Sequence, residues 1–310
     1  MNKILTDALI TPLTGQEARR DMQILILSRK PNYYSTKRLV AEAKLLKHKA
    51  TVLDPTTVAI PIDIHNSSLI THTYDSVIPR IGTYALEYTL SLLEHLRGQG
   101  SRIVNSPESI ALAKNKFLCL QRLAQAELPV PPTVMVRNAK DVDRAISQLG
   151  GLPVIIKLLK GGQGAGVMLG IKPSVIKSIL RSVWAQDYDA MLQKYIVDND
   201  AKCHSDIRVL VVGNKIIGAI RRYPKKGEFR ANIHCGGKAE NYELSNKYRL
   251  LALTAVESTG LDIAGVDLIE SADGPMILEV NTSPGFEGLE KASGVNVAQA
   301  IIELAVRKKS

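Results

Sequence analysis

Apolar runs and helix-like periodicity alternate along the N-terminal third of the chain. Short apolar runs predict strands at residues 23–27, 50–53, 76–79 and 102–104. Apolar positions spaced three or four residues apart predict helices at 36–46 and 87–96. Strands separated by helices are typical of a parallel sheet, so we predict a parallel α/β unit here.

A proline-rich stretch at residues 128–132 interrupts this alternation and predicts a domain boundary. Before it, Ser106 is a typical helix N-cap with proline following, and this helix is predicted to run through Lys116 towards Ala126. After the prolines, a further helix is predicted at 140–149, where a Gly-Gly pair favours its end.

From residue 152 onward the pattern becomes one of short strands. The predicted strands are 154–159, 167–171, 190–196, 206–212 and 215–221. They are followed by a helix at 248–259, strands at 264–270 and 276–281, and a closing helix at 297–308. This order predicts an α+β arrangement for the rest of the chain.

Length and composition describe an ordinary globular protein. The 310 residues predict two or three packed units, with 45% hydrophobic and 23% charged residues. No apolar run approaches the roughly 18 residues that a membrane span needs. Residues 1–21 lack a signal-peptide pattern, so we expect an N-terminal extension or a translation start at Met22. The expected location is the cytoplasm.

The three cysteines, Cys119, Cys203 and Cys235, form no CxxC pair and suit a reducing compartment. A zinc site built from these last two with the adjacent His204 and His234 is disfavoured. Neighbouring side chains on an extended chain point to opposite faces, and the spacing differs from that of usual zinc ligands.

The net charge of +10 fits several acidic partners. Nucleic acid, ATP, glutamate and acidic polypeptide tails would all be attracted to such a surface. Only 5% of residues are aromatic, so platforms for stacking single-stranded bases are not evident, and direct nucleic-acid binding is not expected.

The most specific chemical feature flanks a predicted turn at Asp273-Gly274. Asp267 lies on the first strand, whereas Glu279 and Asn281 share one face of the second. With residue 273 at the centre of the hairpin, Asp267 is predicted to lie opposite Glu279. Facing carboxylates repel unless a divalent cation lies between them, and oxygen donors of this kind suit magnesium. The alternative is a solvent-facing row of carboxylates.

A second feature is Lys157, which lies in an apolar strand and precedes a glycine-rich segment. An unpaired buried ammonium is costly, so this lysine is predicted to meet an anion. The glycines that let backbone amides approach phosphates are Gly161, Gly162, Gly164 and Gly166. The segment is neither a Walker A loop nor a Rossmann turn. We predict a flap that closes over a nucleotide; the alternative is a plain turn.

A third feature is a set of polar residues on and after the later strands. Its members are Asp206, Arg208, Arg221, Arg222, Arg230 and Asn232. Guanidinium groups have the shape to bind phosphate or carboxylate, although a solvated basic face would carry the same residues.

The order of these features resembles the ATP-grasp superfamily and, within it, the RimK-type α-L-glutamate ligases. The resemblance extends from Met22 to near the C-terminus, and its most specific part is Leu278-Glu-Val-Asn-Thr-Ser-Pro-Gly-Phe-Glu-Gly-Leu-Glu290. It implies an N-terminal pre-ATP-grasp domain at 22–107, a central lobe with the glycine flap at 108–197, and a C-terminal lobe with the metal site at 198–310. The two α+β lobes would enclose the nucleotide.

The resemblance also implies roles for individual residues toward ATP and two magnesium or manganese ions. The implied nucleotide contacts are Lys116, Lys157, Gly162, Gly164, Gly166, Lys194, Tyr195, Ile196, Asp206, Arg230, Ala231 and Asn232. The implied metal ligands are Asp267, Glu279 and Asn281, and the implied catalytic residues are Lys157, Arg222 and Arg230. The family usually has glutamate in place of Lys194, which leaves the nucleotide preference open.

The implied reaction joins L-glutamate to a carboxylate through an acylphosphate and releases ADP. In the family the acceptor is the C-terminal glutamate of a small-subunit ribosomal protein, an acidic tail that suits the basic surface. Two alternatives stay open: an ATP-grasp ligase for a small cofactor or an amino-acid carrier protein, and a non-catalytic nucleotide- or RNA-binding protein. The sequence also leaves open whether the chain forms a homo-oligomer.

Overall fold

The computed structural model describes residues 21–62, 73–159, 166–196, 205–225 and 238–307. Its strands are β1 Gln23–Leu27, β2 Lys49–Leu53, β3 Ser76–Pro79, β4 Arg102–Ile103, β5 Thr133–Val136, β6 Val154–Leu158, β7 Val167–Gly170, β8 Ala190–Lys194, β9 Asp206–Val212, β10 Lys215–Tyr223, β11 Lys238–Asn241, β12 Ile263–Ser271 and β13 Gly274–Asn281. Its α-helices are α1 Tyr34–Leu45, α2 Leu86–Gly98, α3 Pro107–Lys114, α4 Lys116–Gln125, α5 Val142–Gln148, α6 Pro173–Ala185, α7 Asn246–Thr259, α8 Glu287–Ser293 and α9 Val297–Ala305.

The N-terminal strands form a parallel sheet in the order β2-β1-β3-β4 within the described chain, which confirms the α/β prediction. Both faces of β1 are covered. Ile24 and Ile26 pack with α1 and α9, whereas Leu25 and Leu27 pack with α2 and α3. Burial on both faces explains why β1 is a continuous apolar run without polar alternation.

The second sheet is antiparallel, in the order β5-β8-β6-β7. It is covered by α5 and α6, whose Ile146, Ile176 and Leu180 share a core with Val154 and Ile156 of β6. Two elements here were not predicted from the sequence: β5, which follows the prolines directly, and α6, which begins at a proline.

The third sheet is also antiparallel, in the order β11-β10-β9-β12-β13, with β13 at one edge. One face is apolar along its length and packs against α4 and α7. The other face is apolar at one end, where Leu210 and Ile263 pack with Ile301 of α9. At its other end the same face carries charged residues. The predicted α+β arrangement of this part is confirmed.

The long helix predicted from Ser106 towards Ala126 is instead two helices. Asn115 interrupts it with an extended backbone (φ −83°, ψ 97°), and its Oδ1 accepts a hydrogen bond of 3.1 Å from the Leu118 amide. This side chain therefore caps α4, as asparagine commonly does at a helix start. The break places Lys114 and Lys116 at adjoining helix ends.

Asn105 links the N-terminal sheet to the third sheet. Its Nδ2 donates to the carbonyls of Ile263 (2.8 Å) and Thr282 (2.9 Å). Its Oδ1 accepts from the amides of Asp262 (2.7 Å) and Ile263 (2.6 Å). These bonds hold the start of β12 and the end of β13 against the loop that follows β4.

Cys119 is buried, and burial raises the pKa of its thiol to about 12, as expected for an unreactive core cysteine. The other two cysteines and both histidines of the disfavoured zinc site lie outside the described residues. Among the helices that are described, none combines the length and apolar character required to pass through a bilayer.

Candidate functional site

The charged end of the third sheet brings four strands together in register. Arg222 of β10 pairs directly with Asp206 of β9. Two residues further along β9, Arg208 pairs with Asp267 of β12. Asp267 in turn lies opposite Glu279 of the edge strand β13, as the sequence analysis predicted.

Asp267 is held by two guanidinium groups. Arg208 donates from Nε to Oδ1 (2.7 Å) and from Nη2 to Oδ2 (2.6 Å), and Arg222 Nη2 lies 2.9 Å from the same Oδ2. Asp267 is only 3% exposed, and burial alone would raise its pKa. Arg208 and Arg222 outweigh that effect and hold the pKa of Asp267 below its ordinary value.

This neutralisation was not predicted from the sequence. The sequence-based hypothesis relied on a divalent cation alone to offset the repulsion between the facing carboxylates. The shared face of Asp206 and Arg208 was evident, but the partner of Arg208 depends on how β9 pairs with β12. The structure therefore balances Asp267 with protein cations, and Glu279 is the carboxylate of the pair that faces outward, with a side chain 42% exposed.

Arg222, a predicted catalytic residue, is 3% exposed and supports two carboxylates. Besides Asp267, it contacts Asp206 through Nε–Oδ1 (2.5 Å) and Nη2–Oδ2 (2.6 Å). Burial, together with the charge of Asp267, raises the pKa of Asp206 to about 6 against the lowering effect of Arg222. Arg222 is therefore buried, and its guanidinium is occupied by the two carboxylates that it contacts.

Asn281, which lies on β13 together with Glu279, contacts both of the facing carboxylates. Its Nδ2 lies 3.0 Å from Glu279 Oε1, 3.3 Å from Asp267 Oδ2 and 3.4 Å from the Gly265 carbonyl. Arg208 Nη2 is 4.0 Å from Glu279 Oε1. The three predicted metal ligands are thus brought together, with the amide group between the carboxylates.

Three lysines interact electrostatically with Glu279. Burial lowers the pKa values of Lys114, Lys116 and Lys157, and the charge of Glu279 partly offsets this in each case. Lys116 Nζ also donates to the Leu158 carbonyl at 3.1 Å. Lys116 and Lys157 were predicted to bind nucleotide. Lys114 was missed, because a lysine at the end of a helix usually indicates a solvated surface.

Gly166, at the end of the predicted flap, is required by two features of the backbone. Its φ is +81°, a left-handed conformation that favours glycine, and a Cβ there would lie 2.9 Å from Leu158 side-chain atoms. Its carbonyl accepts from the Leu158 amide at 2.9 Å, which closes the base of the segment between β6 and β7. Gly161, Gly162 and Gly164 lie outside the described residues.

The predicted adenine segment follows β8. The side chain of Lys194 is exposed, and its backbone amide donates to the Pro132 carbonyl at 2.8 Å. Tyr195 and Ile196 are partly buried, and burial raises the pKa of Tyr195. The Ile277 amide of β13 donates to the Pro129 carbonyl at 2.8 Å, so the proline linker contacts both β8 and the edge strand.

The last predicted nucleotide contacts are Arg230, Ala231 and Asn232. Arg230 is also a predicted catalytic residue. All three lie outside the described residues. The structure therefore places the remaining predicted residues in two groups: the charged row with its lysines, and the end of β8 beyond the proline linker.

The donor set fits a magnesium ion that shares its shell with phosphates. Glu279 and Asn281 offer carboxylate and amide oxygens, and Asp267 Oδ1, which accepts from Arg208 Nε in the described part of the chain, keeps acceptor capacity. Across the described ranges, no three His, Cys, Asp or Glu side chains gather in a way that could hold a metal. Magnesium usually takes only one or two carboxylates and completes its shell with water and substrate phosphates, so the smaller set suffices.

Residues 22–110 match the RimK PreATP-grasp domain family, and residues 113–305 match the RimK-like ATP-grasp domain family. A probable alpha-L-glutamate ligase of Legionella pneumophila is 38% identical over 294 residues, covering 93% of this chain and 96% of that protein. A protein with the same name from Mannheimia succiniciproducens is 38% identical over 299 residues, covering 93% and 99% of the two chains.

Solved structures share the fold. A RimK domain ATP-grasp protein from Sphaerobacter thermophilus aligns with a TM-score of 0.75 at 20% identity, covering 92% of this chain and 100% of that chain. The ATP-grasp ligase PsnB, complexed with minimal precursor, Mg and ADP, aligns with a TM-score of 0.69 at 20% identity, covering 92% and 98%. The described sheets thus form an ATP-grasp fold preceded by a pre-ATP-grasp domain.

Proposed function

This chain belongs to the RimK-like ATP-grasp family and is an ATP-dependent ligase, and we propose that it adds L-glutamate to the C-terminal carboxylate of an acidic protein. The proposed acceptor is a small-subunit ribosomal protein. Support comes from relatives named as probable alpha-L-glutamate ligases that align over 93% of the chain, and from the net charge of +10, which attracts an acidic tail.

The observation that carries the proposal is that three partly buried lysines, Lys114, Lys116 and Lys157, interact electrostatically with Glu279, whose side chain is 42% exposed. Partly buried cations are costly without anionic partners, and a polyanion with its own cation would complete this arrangement. Magnesium–triphosphate has this charge distribution. We propose that Lys116 and Lys157 contact the phosphates and that Asp267, Glu279 and Asn281 hold two magnesium or manganese ions.

The remaining nucleotide contacts are proposed on both sides of the cleft between the lobes at 108–197 and 198–310. Lys194, Tyr195 and Ile196 would line the adenine, chiefly through their backbone. The glycines at 162, 164 and 166 would cover the phosphates, and Asp206, Arg230, Ala231 and Asn232 would contact the nucleotide from the third sheet. The exposed position of Lys194 leaves its charge free to act on the ribose or phosphates.

The proposed chemistry proceeds in two steps. The acceptor carboxylate attacks the γ-phosphate, ADP leaves, and an acylphosphate forms; the amine of L-glutamate then attacks the acyl carbon and phosphate leaves. Bound magnesium would neutralise the charge on the phosphates. Lys157 and Lys116 would orient the phosphates from a half-buried position, where ionic contacts are stronger than in water.

Arg222 has a positioning role in this proposal. Its three short contacts hold Asp206 and Asp267 in place, so it acts on the substrate through those carboxylates. Arg230 is proposed as the arginine that touches the transferring phosphoryl group. The glycine-rich flap would exclude water, which otherwise hydrolyses an acylphosphate.

A substrate screen tests the proposal. Purified protein is incubated with MgATP, each amino acid in turn, and acidic peptides that end in glutamate, while ADP release is followed. We expect release over many turnovers only when L-glutamate and a peptide with a free C-terminal carboxylate are both present, because the acylphosphate must react with the amine before the next ATP is used. A matched peptide with an amidated C-terminus should be inactive, and labelled glutamate should appear in the active peptide and in a ribosomal protein.

The two alternatives give different results in the same screen. A ligase for a small acceptor would release ADP with a small carboxylate and with none of the peptides. A non-catalytic protein would release no ADP with any combination. Solved structures of this fold contain precursor peptides, as in PsnB and the macrocyclase MdnC, which supports a peptide as the acceptor over a small molecule.

A further inference from the structure

Arg80 follows the end of β3, at the carboxyl edge of the N-terminal parallel sheet. Its Nη2 donates to the Pro284 carbonyl at 2.6 Å, and its guanidinium lies 5.6 Å from the centre of the Phe286 ring. Its Nε is buried and has no hydrogen-bond partner in the described part of the chain. No carboxylate pairs with Arg80 in the same residues, although the other inward-facing arginines of this region, Arg208 and Arg222, are both paired.

An unpaired guanidinium in this position is costly. Burial lowers the pKa of Arg80 to about 10, which shows how little the surroundings compensate its charge. The contact with Pro284 uses one of five N–H donors, so a purely structural clamp would leave most of the group unsatisfied. A lysine or a neutral donor could hold the same carbonyl at lower cost.

Lys114 is a second partly buried cation, and the charge of Arg80 acts on it. It has no hydrogen-bond or ion-pair partner within the described residues, and its electrostatic neighbours are Glu279, Arg80 and Lys116. Lys114 thus interacts electrostatically with both Glu279 and Arg80.

We propose that Arg80 and Lys114 form a subsite that binds a carboxylate of the ligase's substrates, on the N-terminal-domain side of Glu279. The carboxylate comes either from the incoming glutamate or from the acidic acceptor. This proposal rests on the proposed function, because only a glutamate ligase brings such groups to the site.

The position and the chemistry of the pair suit a bound carboxylate. In open parallel sheets ligands bind outside the carboxyl ends of the strands, which is where Arg80 lies. A planar guanidinium with unused donors can hold a carboxylate through two parallel hydrogen bonds. Pro284, which Arg80 contacts, packs against Gly265 beside Arg208: a Cβ at Gly265 would lie 2.8 Å from Pro284 and 3.7 Å from Arg208 Nε. The subsite therefore adjoins the charged row.

Calorimetry on the full chain tests the subsite. Wild-type protein is first saturated with Mg·AMPPNP and then titrated with L-glutamate in one arm and with tetra-L-glutamate in the other. The same titrations are repeated with Arg80→Gln, Arg80→Lys and Lys114→Gln. Arg249→Gln, an exposed arginine on α7, serves as the matched control.

We expect Arg80→Gln to weaken binding of one probe at least tenfold, Lys114→Gln to weaken the same probe, and Arg80→Lys to restore part of the loss. The affected arm identifies the source of the carboxylate. Affinity for Mg·AMPPNP should stay within twofold of wild type in both Arg80 variants and in the Arg249→Gln control. If Arg80→Gln does not fold, Lys114→Gln carries the test.

Three outcomes would overturn the subsite. The first is unchanged binding of both probes by Arg80→Gln and Lys114→Gln, and the second is no binding of either probe by the nucleotide-loaded wild type. The third is a loss of nucleotide affinity, rather than of probe affinity, in Arg80→Gln, which would make Arg80 a phosphate contact. The proposed function fails separately, if the wild type takes up no Mg·AMPPNP at all.

Discussion

Asp267 lies directly opposite Glu279 because Leu278 is an extra residue in β13. The hairpin turn lies between Ser271 and Gly274, and regular pairing from this turn matches Leu268 with Ile277. The next pair is Asp267 with Glu279, so Leu278 forms a bulge. The prediction of this pair was right, although it centred the turn on residue 273. The observed turn is centred between residues 272 and 273, and the bulge makes up the difference.

The bulge decides which face of the sheet carries the chemistry. Without it, Leu278 would lie opposite Asp267, and Glu279 would point to the apolar face that packs against α4 and α7, since a one-residue shift exchanges the two faces of a strand. The extra residue therefore brings both Glu279 and Asn281 beside Asp267.

Replacing Asp267 with asparagine is expected to destabilise the fold. The substitution leaves Arg208 and Arg222 without their shared carboxylate, and breaking a buried ion pair on one side costs about 3–5 kcal/mol. Urea unfolding of Asp267→Asn against wild type measures this. Asp187→Asn is the control, because its side chain is 95% exposed and its ion pair with Arg137 should contribute little. Equal stabilities of Asp267→Asn and wild type would contradict the described network.

Replacing Lys157 with methionine is expected to separate stability from binding. Burial lowers the pKa of Lys157, so its charge opposes folding, and Lys157→Met should be as stable as wild type or more so by about 1 kcal/mol. Its affinity for MgATP should fall about ten- to a hundredfold, the value of one charge-assisted hydrogen bond. Thermal melts with and without nucleotide measure both effects.

Lys172→Met is the matched control for that variant, because Lys172 is exposed at the start of α6. It should change neither the melting temperature without nucleotide nor the shift that nucleotide produces. A Lys157→Met protein that is less stable than wild type but binds MgATP normally would show that Lys157 has a structural role only.

Asn105→Ala is expected to cost about 3–4 kcal/mol of folding free energy. The substitution removes four hydrogen bonds to the backbone of Asp262, Ile263 and Thr282, and buried groups left without partners carry the desolvation penalty. Denaturant unfolding measures the loss, with Asn241→Ala, an exposed residue of β11, as the control. A loss no larger than that of the control would contradict the described linkage between the sheets.

Lys114 is expected to make stability depend on alkaline pH. Burial lowers the pKa of Lys114 from its ordinary 10.5 to about 8, so between these values the unfolded chain binds more protons than the folded one. Stability therefore rises with pH across this window. Lys114→Met should be more stable than wild type at pH 7, and the difference should shrink towards pH 10. A constant difference would show that Lys114 is well solvated.

The sequence predicted most accurately the strands and helices that have a clear local pattern of apolar residues. The strands around Asp267 and Glu279 extend only one or two residues beyond their predicted ends. By contrast, β5 was missed because the prolines before it were interpreted as a boundary alone. The missed α6 has apolar residues at a helical spacing, Ile176 and Leu180, so a stricter periodicity count could have found it.

The candidate site depends on contacts that sequence spacing does not reveal. The residue types at Asp206, Asp267 and Glu279 indicated the chemistry, but the pairing of β9 with β12, which neutralises Asp267 through Arg208, joins positions 59 residues apart. The inward position of Lys114 follows from the helix break at Asn115, and the role suggested for Arg80 follows from a buried Nε without a partner. Both are tertiary properties.

The most direct test of the account is calorimetric titration of wild type and Glu279→Gln with Mg·AMPPNP, with Glu243→Gln, an exposed loop residue, as the control. We expect wild type and the control to bind the nucleotide in the presence of magnesium and to lose most of their affinity when EDTA removes the cation. Glu279→Gln should fold normally and bind at least about a hundredfold more weakly. Binding by Glu279→Gln with wild-type affinity, or no binding by the wild type, would contradict the assignment of this row as the magnesium–nucleotide site.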